Sequence, residues 1–368
     1  MAGTWGSKRI FECAKRFRLN IDAVCVMNGP DRLSDNTFFY VTELLKGGAF
    51  EGSICVIDRS GEITVITSPL EEQSARRLKG NLLISRKPEE MKSLLKRLLK
   101  NCRRVGINAP ELTHANYLFI KKVIDRNTQL IDISKAIQYA RAVKSERELK
   151  TIRRACDIAS RAYNDLLPRI RPGMKEYEVS AELNYLLGKY GATSPAFTTI
   201  CGFGPNSAEP HYTSGDAKLK EGGILLLDFG ATYEKYRSDI TRTIPIGKAS
   251  RRFREMYRTV ARAQDAALRY MRPGRISKDV DATARKIIDN SKFKGMFNHS
   301  LGHGLGLATH DPYGLSPRFD FKLEKGMVFT VEPGVYIPGY GGVRIEDDVV
   351  VTEDGIEILT HAERWSPL

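Results

Sequence analysis

No stretch of about 18 consecutive apolar residues occurs in this chain, so no membrane-spanning helix is expected. Residues Met1–Ile10 carry Gly, Ser, Lys and Arg with no long apolar core behind them. That pattern argues against a secretory signal and leaves the cytoplasm as the expected address. Cys-x-x-Cys pairs are also missing. The six cysteines stand apart at 13, 25, 55, 102, 156 and 201, which argues against a disulfide framework or a zinc–thiolate site. Neither a zinc-finger spacing nor an RNA-binding aromatic motif accompanies the net charge of +14. The basic residues are dispersed with the spacing of solvated helix faces, as in Lys92–Arg104 and Arg251–Arg262. The charge is therefore read as a surface property, with no nucleic-acid partner and no membrane expected.

What is present divides in two. At 368 residues the chain can bury two cores. The first part alternates strand and helix signals: a strand at Ile21–Met27, and a hairpin of Ile54–Asp58 and Ile63–Thr67 turned at Ser60-Gly61. Helices are predicted over Glu89–Asn101 and Thr113–Asp125, with Val105–Ile107 as a strand between them. Its one histidine, His114, has no acids clustered near it and reads as a surface or capping residue. Ser145-Glu146-Arg147-Glu148 has the form of a capping box, opening a helix that runs to about Pro168. We place the domain boundary ahead of it, giving an α/β domain over residues 1–133 and an α+β domain over 134–368.

The second domain repeats itself. Arg171-Pro172-Gly173 lies between two helical patterns, the second spanning Tyr177–Tyr190. Arg272-Pro273-Gly274, 101 residues later, lies between Phe253–Tyr270 and Lys278–Ile288. Acids follow each copy at the ends of apolar strands. The stretch Gly222–Gly230 carries Asp228 and the chain returns through Asp239; Met327–Val331 leads to Glu332 and the chain returns through Glu346. Asp228 and Asp239 share a midpoint between Tyr233 and Glu234, so pairing about that centre puts them opposite one another. The midpoint of Glu332 and Glu346 is Gly339. From one half to the other the acids are offset by 104 and 107 residues, close to the offset of the Arg-Pro-Gly copies.

Four carboxylates converging on apolar strand ends would repel one another, and burial would add to the cost. Divalent cations remove that penalty, and a pair about 3.5–4 Å apart suits bridging carboxylates. Histidine completes the set. Four of the six lie between 211 and 310, and Gly302-His303-Gly304-Leu305-Gly306 puts one imidazole where glycines allow close approach. Neither His299 nor His310 sits in a His-Glu-x-x-His context, which excludes a helical zincin. Oxygen ligands with one imidazole favour Mn, Co, Fe or Zn.

These residues resemble a known family, the pita-bread metallopeptidases, in its Xaa-Pro dipeptidase (prolidase) and Xaa-Pro aminopeptidase branch. The matching stretches are Gly204-Pro205-Asn206-Ser207-Ala208-Glu209-Pro210-His211-Tyr212, Leu227-Asp228-Phe229-Gly230, Ser238-Asp239-Ile240-Thr241-Arg242-Thr243, Gly302–Gly306, Val331-Glu332-Pro333-Gly334 and Arg344-Ile345-Glu346-Asp347. Each is weak alone; their order over the chain makes the signal. The resemblance implies a creatinase-like N-terminal α/β domain followed by a duplicated α+β catalytic domain. It implies two divalent ions, Mn or Co ahead of Zn or Fe, bridged by Asp239 and Glu346. Asp228 would complete one ion's ligands, and His303 with Glu332 the other's. His211, His299 and His310 correspond to histidines that hold the substrate and stabilise the reacting carbonyl. Arg344 corresponds to a residue pairing with the ligand cluster, and Glu332 to the proton carrier for the departing proline nitrogen.

The implied substrates are proline-containing peptides and the implied assembly is a homodimer. A dipeptidase is favoured because no extension flanks the two domains; the alternative is an aminopeptidase acting on longer peptides. A methionine aminopeptidase fits less well, because it lacks the extra N-terminal domain. A metal-free creatinase-type hydrolase or a non-catalytic binding protein would be expected to have lost ligands. Two departures from the family pattern stand out: Asp311 after His310, where many relatives have Glu, and Glu43 after Tyr40-Val41-Thr42, where Gly is common.

Overall fold

The computed structural model describes residues 4–30 and 33–366, so the first three positions of the Met1–Ile10 stretch lie outside it. The chain divides into two units, Met1–Arg141 and Ala142–Leu368. The helix Ser134–Ala142 thus goes with the first unit, where the sequence reading put the break ahead of it. Its Ala136, Ile137 and Ala140 are buried, and Tyr40 Oη and Arg9 Nε both donate to Ala140 O.

A six-stranded sheet forms the first unit, in the order Asn81–Ile84, Ile63–Thr67, Ile54–Asp58, Ala23–Met27, Arg104–Ile107, Gln129–Asp132. The hairpin pairs antiparallel, while the outer strands join parallel after crossover helices. Ala23–Met27 is buried at all five positions, as a central strand covered on both faces must be. Helices Pro88–Leu99 and His114–Val123 place Leu95, Leu99, Ile120 and Val123 against Cys25, Ile54 and Val105. Glu43 caps the helix Asn36–Thr42 with a left-handed φ of 55°. Glycine is the usual residue there, and a side chain costs about 1–2 kcal/mol.

In the second unit the sequence repeat becomes a repeat of hydrogen bonds. Gly173 N donates to Leu219 O at 2.8 Å, and Leu219 N returns to Met174 O at 2.8 Å. In the other copy Gly274 N donates to Leu323 O at 2.9 Å, and Leu323 N to Arg275 O at 2.8 Å. Both glycines hold positive φ, 91° and 83°, where the chain turns after the preceding helix has already ended at an extended residue, Ile170 or Met271. Each bridge pins the start of a helix, Glu176–Lys189 or Ser277–Asp289, to the chain just ahead of a central strand. Those central strands, Ile224–Phe229 and Val328–Val331, each have two antiparallel neighbours: Ile200–Phe203 and Ile240–Pro245 in one half, Gly302–Gly304 and Asp347–Val351 in the other. The capping box at Ser145 and Glu148 is formed and opens the helix Glu146–Leu166, whose Ile158, Ala162 and Tyr163 pack on Leu225, Leu227 and Phe229.

The two hairpins differ in register. In the second, Gly334 pairs with Arg344 and Val331 with Asp347, so one register centred on Gly339 holds Glu332 and Glu346 at facing positions. In the first, Tyr233 pairs with Tyr236 and Asp228 with Thr241. The centre lies between Glu234 and Lys235, one position beyond the expected one, and Asp228 is not opposite Asp239. Glu234 and Lys235 both have positive φ, 45° and 63°. A two-residue turn of that hand matches the twist of paired strands, and its geometry overrides the symmetry of the acids. The slip amounts to two residues along the partner strand. Because side chains alternate, Asp228 and Asp239 stay on one face as diagonal neighbours.

Candidate metal centre

Asp239, His303 and Glu346 each offer one donor atom within 4.8 Å of the other two. His303 Nε2 is 3.5 Å from Asp239 Oδ2 and 3.5 Å from Glu332 Oε1, which brings in a fourth residue. Asp228 is the fifth: its Oδ2 accepts from Arg344 Nη2 at 2.6 Å, and its charge acts on Asp239 and Glu346.

Hydrogen bonds from behind aim each donor. His303 Nδ1 is 3.0 Å from Gly304 O; donating its proton there leaves the Nε2 lone pair facing the carboxylates. His303 N and Glu332 Oε1 both bond the Thr330 hydroxyl, which fixes the one against the other. Thr241 Oγ1 donates to Glu346 Oε2 at 2.5 Å and accepts from Arg344 Nε at 2.9 Å. Arg344 is 3% exposed and gives its third contact, from Nη1, to Tyr336 Oη. Asp348 Oδ2 accepts from Asp239 N at 2.8 Å.

Electrostatics marks these carboxyls as crowded. Burial, then the neighbouring Glu346 and Asp228, hold the Asp239 carboxyl well above the usual carboxylate range. Glu346 is raised in the same sense by burial and by Glu332 and Asp228. Burial pushes Glu332 up to about 8, in spite of Arg344. Meanwhile burial pulls His303 down to about 4, so its ring is neutral at physiological pH. Asp228 Oδ1 is buried with no hydrogen-bond partner. A buried carboxylate oxygen without a donor, beside three carboxyls that resist ionising together, is the condition a divalent cation relieves. The donor set of oxygens with one imidazole and no thiol fits such an ion.

The remaining residues singled out in the sequence surround this cluster. His310 is exposed, with its ring centroid 4.2 Å from that of His303. His299 gives Nδ1 to Ser300 O, so its Nε2 accepts from Tyr336 Oη at 2.8 Å; a line of contacts thus runs from His299 through Tyr336 and Arg344 to Asp228. Burial takes His299 down to about 3, keeping it neutral. His211 is exposed, and its field acts on Asp228, His299 and His310. Its loop is tied to the helix Glu176–Lys189 by the fully buried Glu176. That carboxylate accepts from Phe203 N, Asn206 Nδ2, Tyr212 Oη and Gly215 N, at 2.7 to 2.9 Å. Asp311 faces inward: it is buried and ion-paired with Lys144 at 3.4 Å.

Sequence reasoning missed Thr241, Thr330, Tyr336 and Glu176. Thr241 carried a usable signal, two residues beyond Asp239 on the same face of a strand. Glu176 carried none, since its partners lie some thirty residues away.

The sequence profile of metallopeptidase family M24 matches residues 150–353, and that of the creatinase/prolidase N-terminal domain matches residues 17–143. A Xaa-Pro dipeptidase of Pyrococcus furiosus is 39% identical over 269 residues, 73% of this chain and 76% of that one. Among solved structures, a Xaa-Pro dipeptidase from Bacillus anthracis superposes with a TM-score of 0.88 at 33% identity, covering 98% of both chains. The X-Pro aminopeptidase from Thermotoga maritima superposes with a TM-score of 0.87 at 32% identity, covering 97% of this chain and 98% of that one.

Proposed function

This chain belongs to metallopeptidase family M24, and on that premise we propose that it is a Xaa-Pro dipeptidase whose centre holds two divalent metal ions. The observation that carries the reading is the convergence of Asp239, His303 and Glu346 within 4.8 Å, with Glu332 and Asp228 beside them. In this reading Asp239 and Glu346 bridge the ions, Asp228 completes one ligand set, and His303 with Glu332 completes the other. Mn or Co is the proposed occupant, with Zn or Fe next; a homodimer rests on the family resemblance alone, and the cytoplasmic address is carried over as the expectation from the sequence. No helix among the described residues is long and apolar enough to cross a membrane.

Ions bound there supply Lewis acidity and a water acidic enough to ionise near neutral pH. The chain's own residues do the rest. His211 and His310 stand at the exposed side of the cluster, where they can hold the peptide carbonyl as charge builds on its oxygen. Breaking an Xaa–Pro bond requires a proton on the departing nitrogen, which has no hydrogen of its own in the tertiary amide. Glu332, tied to Thr330 and facing His303, is placed to deliver it. Tyr336 holds His299 in the tautomer whose Nε2 accepts, which stiffens the wall beside Glu332.

A second reading, Xaa-Pro aminopeptidase, is favoured by the nearly equal likeness to the Thermotoga structure. The metal-free and non-catalytic readings are opposed by the presence and convergence of all five residues. The test strips the protein with chelator, reloads it with Mn, Co or Zn, and offers Xaa-Pro dipeptides and Xaa-Pro-Yaa tripeptides. Dipeptide cleavage restored by metal is expected. Cleavage of tripeptides alone replaces dipeptidase by aminopeptidase, and no cleavage with any metal removes the peptidase.

Loading is also expected to release protons. Glu332, Asp239 and Glu346 hold protons to higher pH than ordinary carboxyls, and ligation requires them ionised. At pH 7, calorimetric enthalpies of Mn binding in buffers of differing ionisation heat are expected to show a net release of protons. Affinity is expected to rise with pH. A buffer-independent enthalpy contradicts the crowded-carboxyl description.

A further inference from the structure

We propose that Arg237 recognises the free carboxylate of the substrate, the terminal group of a Xaa-Pro dipeptide, and thereby sets the preference for dipeptides. The inference rests on the peptidase reading above and adds a specificity residue to it. The chain around Arg237 alternates cleanly. Tyr236 and Ser238 turn to the helix Glu146–Leu166, Tyr236 Oη bonding Glu148 and Ser238 Oγ bonding Ala155 O. Arg237 and Asp239 therefore project to the other side, where Asp239 meets His303. Arg237 thus lies on the metal-facing side, two residues from a proposed bridging ligand. Its backbone N donates to Gly306 O in the glycine-rich loop, and its field reaches His310.

The guanidinium is fixed at one end only. Nη1 donates to Ala196 O at 2.8 Å and to Thr309 Oγ1 at 3.0 Å, one residue before His310. Nε is buried with no partner. Among the described residues no carboxylate lies within ion-pair distance of Arg237. Asp311, whose field it feels, is already paired with Lys144. The other two arginines on these strands are consumed: Arg344 by Asp228, Thr241 and Tyr336, and Arg242 by Asp347 and backbone carbonyls. Arg237 is held rigidly through Nη1 and its Nε is shut in, so Nη2 is the donor left over for a charge-assisted hydrogen bond to a carboxylate. A half-buried guanidinium with an unused Nη2 beside a peptide-cleaving centre calls for an anion from outside the chain. A dipeptide carries one next to its scissile bond; in a longer peptide the same position is a neutral amide.

Ala-Pro and Ala-prolinamide, identical except for that carboxylate, test the assignment on the metal-loaded enzyme. In the wild type, kcat/KM is expected to favour Ala-Pro. Arg237→Gln is expected to raise KM for Ala-Pro about 10- to 100-fold, to change kcat little, and to leave Ala-prolinamide unaffected. Arg237→Lys is expected to restore part of the discrimination. Calorimetric affinity for proline against prolinamide gives the same comparison without turnover, and metal content reports that the centre is intact. A variant that keeps the wild-type preference for acid over amide overturns the role of Arg237, because a merely structural arginine would weaken both compounds alike. If neither compound is cleaved while proline binding still depends on Arg237, the peptidase reading fails and the carboxylate site stands.

Discussion

Asp239→Ala is expected to abolish turnover and metal loading together. Asp239 is the most crowded of the four carboxyls, with Glu346, Asp228, Asp348 and Glu332 all acting on it in a buried setting. In the proposed centre it touches both ions, so its loss removes one ligand from each. Metal analysis after gel filtration is expected to show less than one ion per chain. Activity on Xaa-Pro dipeptides is expected to fall by about 10³-fold or more, the range found when a group essential to the reacting centre is deleted. A stability measurement separates this from simple damage. In the metal-free protein the carboxyls oppose one another, so Asp239→Asn relieves repulsion and is expected to stabilise by about 1–2 kcal/mol. Added Mn is expected to raise the melting temperature of the wild type and leave the variant unmoved, because only a state that binds the ion gains from it. Retention of two ions by either variant would falsify the bridging assignment.

The second large effect is structural. Arg242→Met is expected to destabilise the protein by about 3 kcal/mol, since it removes the buried partner of Asp347, leaving it only the part-exposed Arg364 as cation. Arg242 and Asp347 are 2% and 1% exposed, and Arg242 Nη2 meets Asp347 Oδ1 at 2.7 Å. The same guanidinium donates to Ala362 O, to Thr241 O and to Glu346 O, so its removal also orphans carbonyls. Its bond to Glu346 O is a direct tie between the two halves of the duplication, across the backbone of a proposed metal ligand. Denaturant unfolding of the metal-free protein measures the loss, and a change under 1 kcal/mol contradicts the account.

The pair also gives a pH dependence of known sign. Burial pushes the Asp347 carboxyl up, but Arg242 and Arg364 outweigh it and hold it below the usual range. Its stabilisation is therefore complete above the ordinary carboxylate pKa and is lost as pH falls through the depressed one. In Arg242→Met that acid-limb contribution is expected to shrink.

The sequence by itself determined a good deal. Apolar periodicity placed the hairpin Ile54–Asp58/Ile63–Thr67 at the bounds observed, and the capping box at Ser145 is formed as written. These are local patterns, governed by neighbours within a few positions. The duplication was legible too, because Arg-Pro-Gly segments and strand-end acids recur at nearly constant offsets. The Glu332–Glu346 register followed from symmetry, since Gly339 sits at the centre of the short loop 338–340 and takes the positive φ of 76° that the turn needs.

The tertiary structure decided what symmetry could not. The first hairpin turned at Glu234-Lys235, one position past the midpoint, because the preferred two-residue turn fixed the register; Asp228 and Asp239 became diagonal neighbours. The supports of the centre were invisible for a different reason. Thr241 bridging Glu346 to Arg344, Tyr336 bridging Arg344 to His299, and Glu176 gathering the His211 loop are side-chain bonds between segments far apart in the chain. A sequence shows which residues can ligate a metal, because ligation is a property of residue type. Which oxygen is left without a donor, and which arginine keeps an unused Nη2, depends on what folding brings within 3 Å, a distance set by packing of the whole unit.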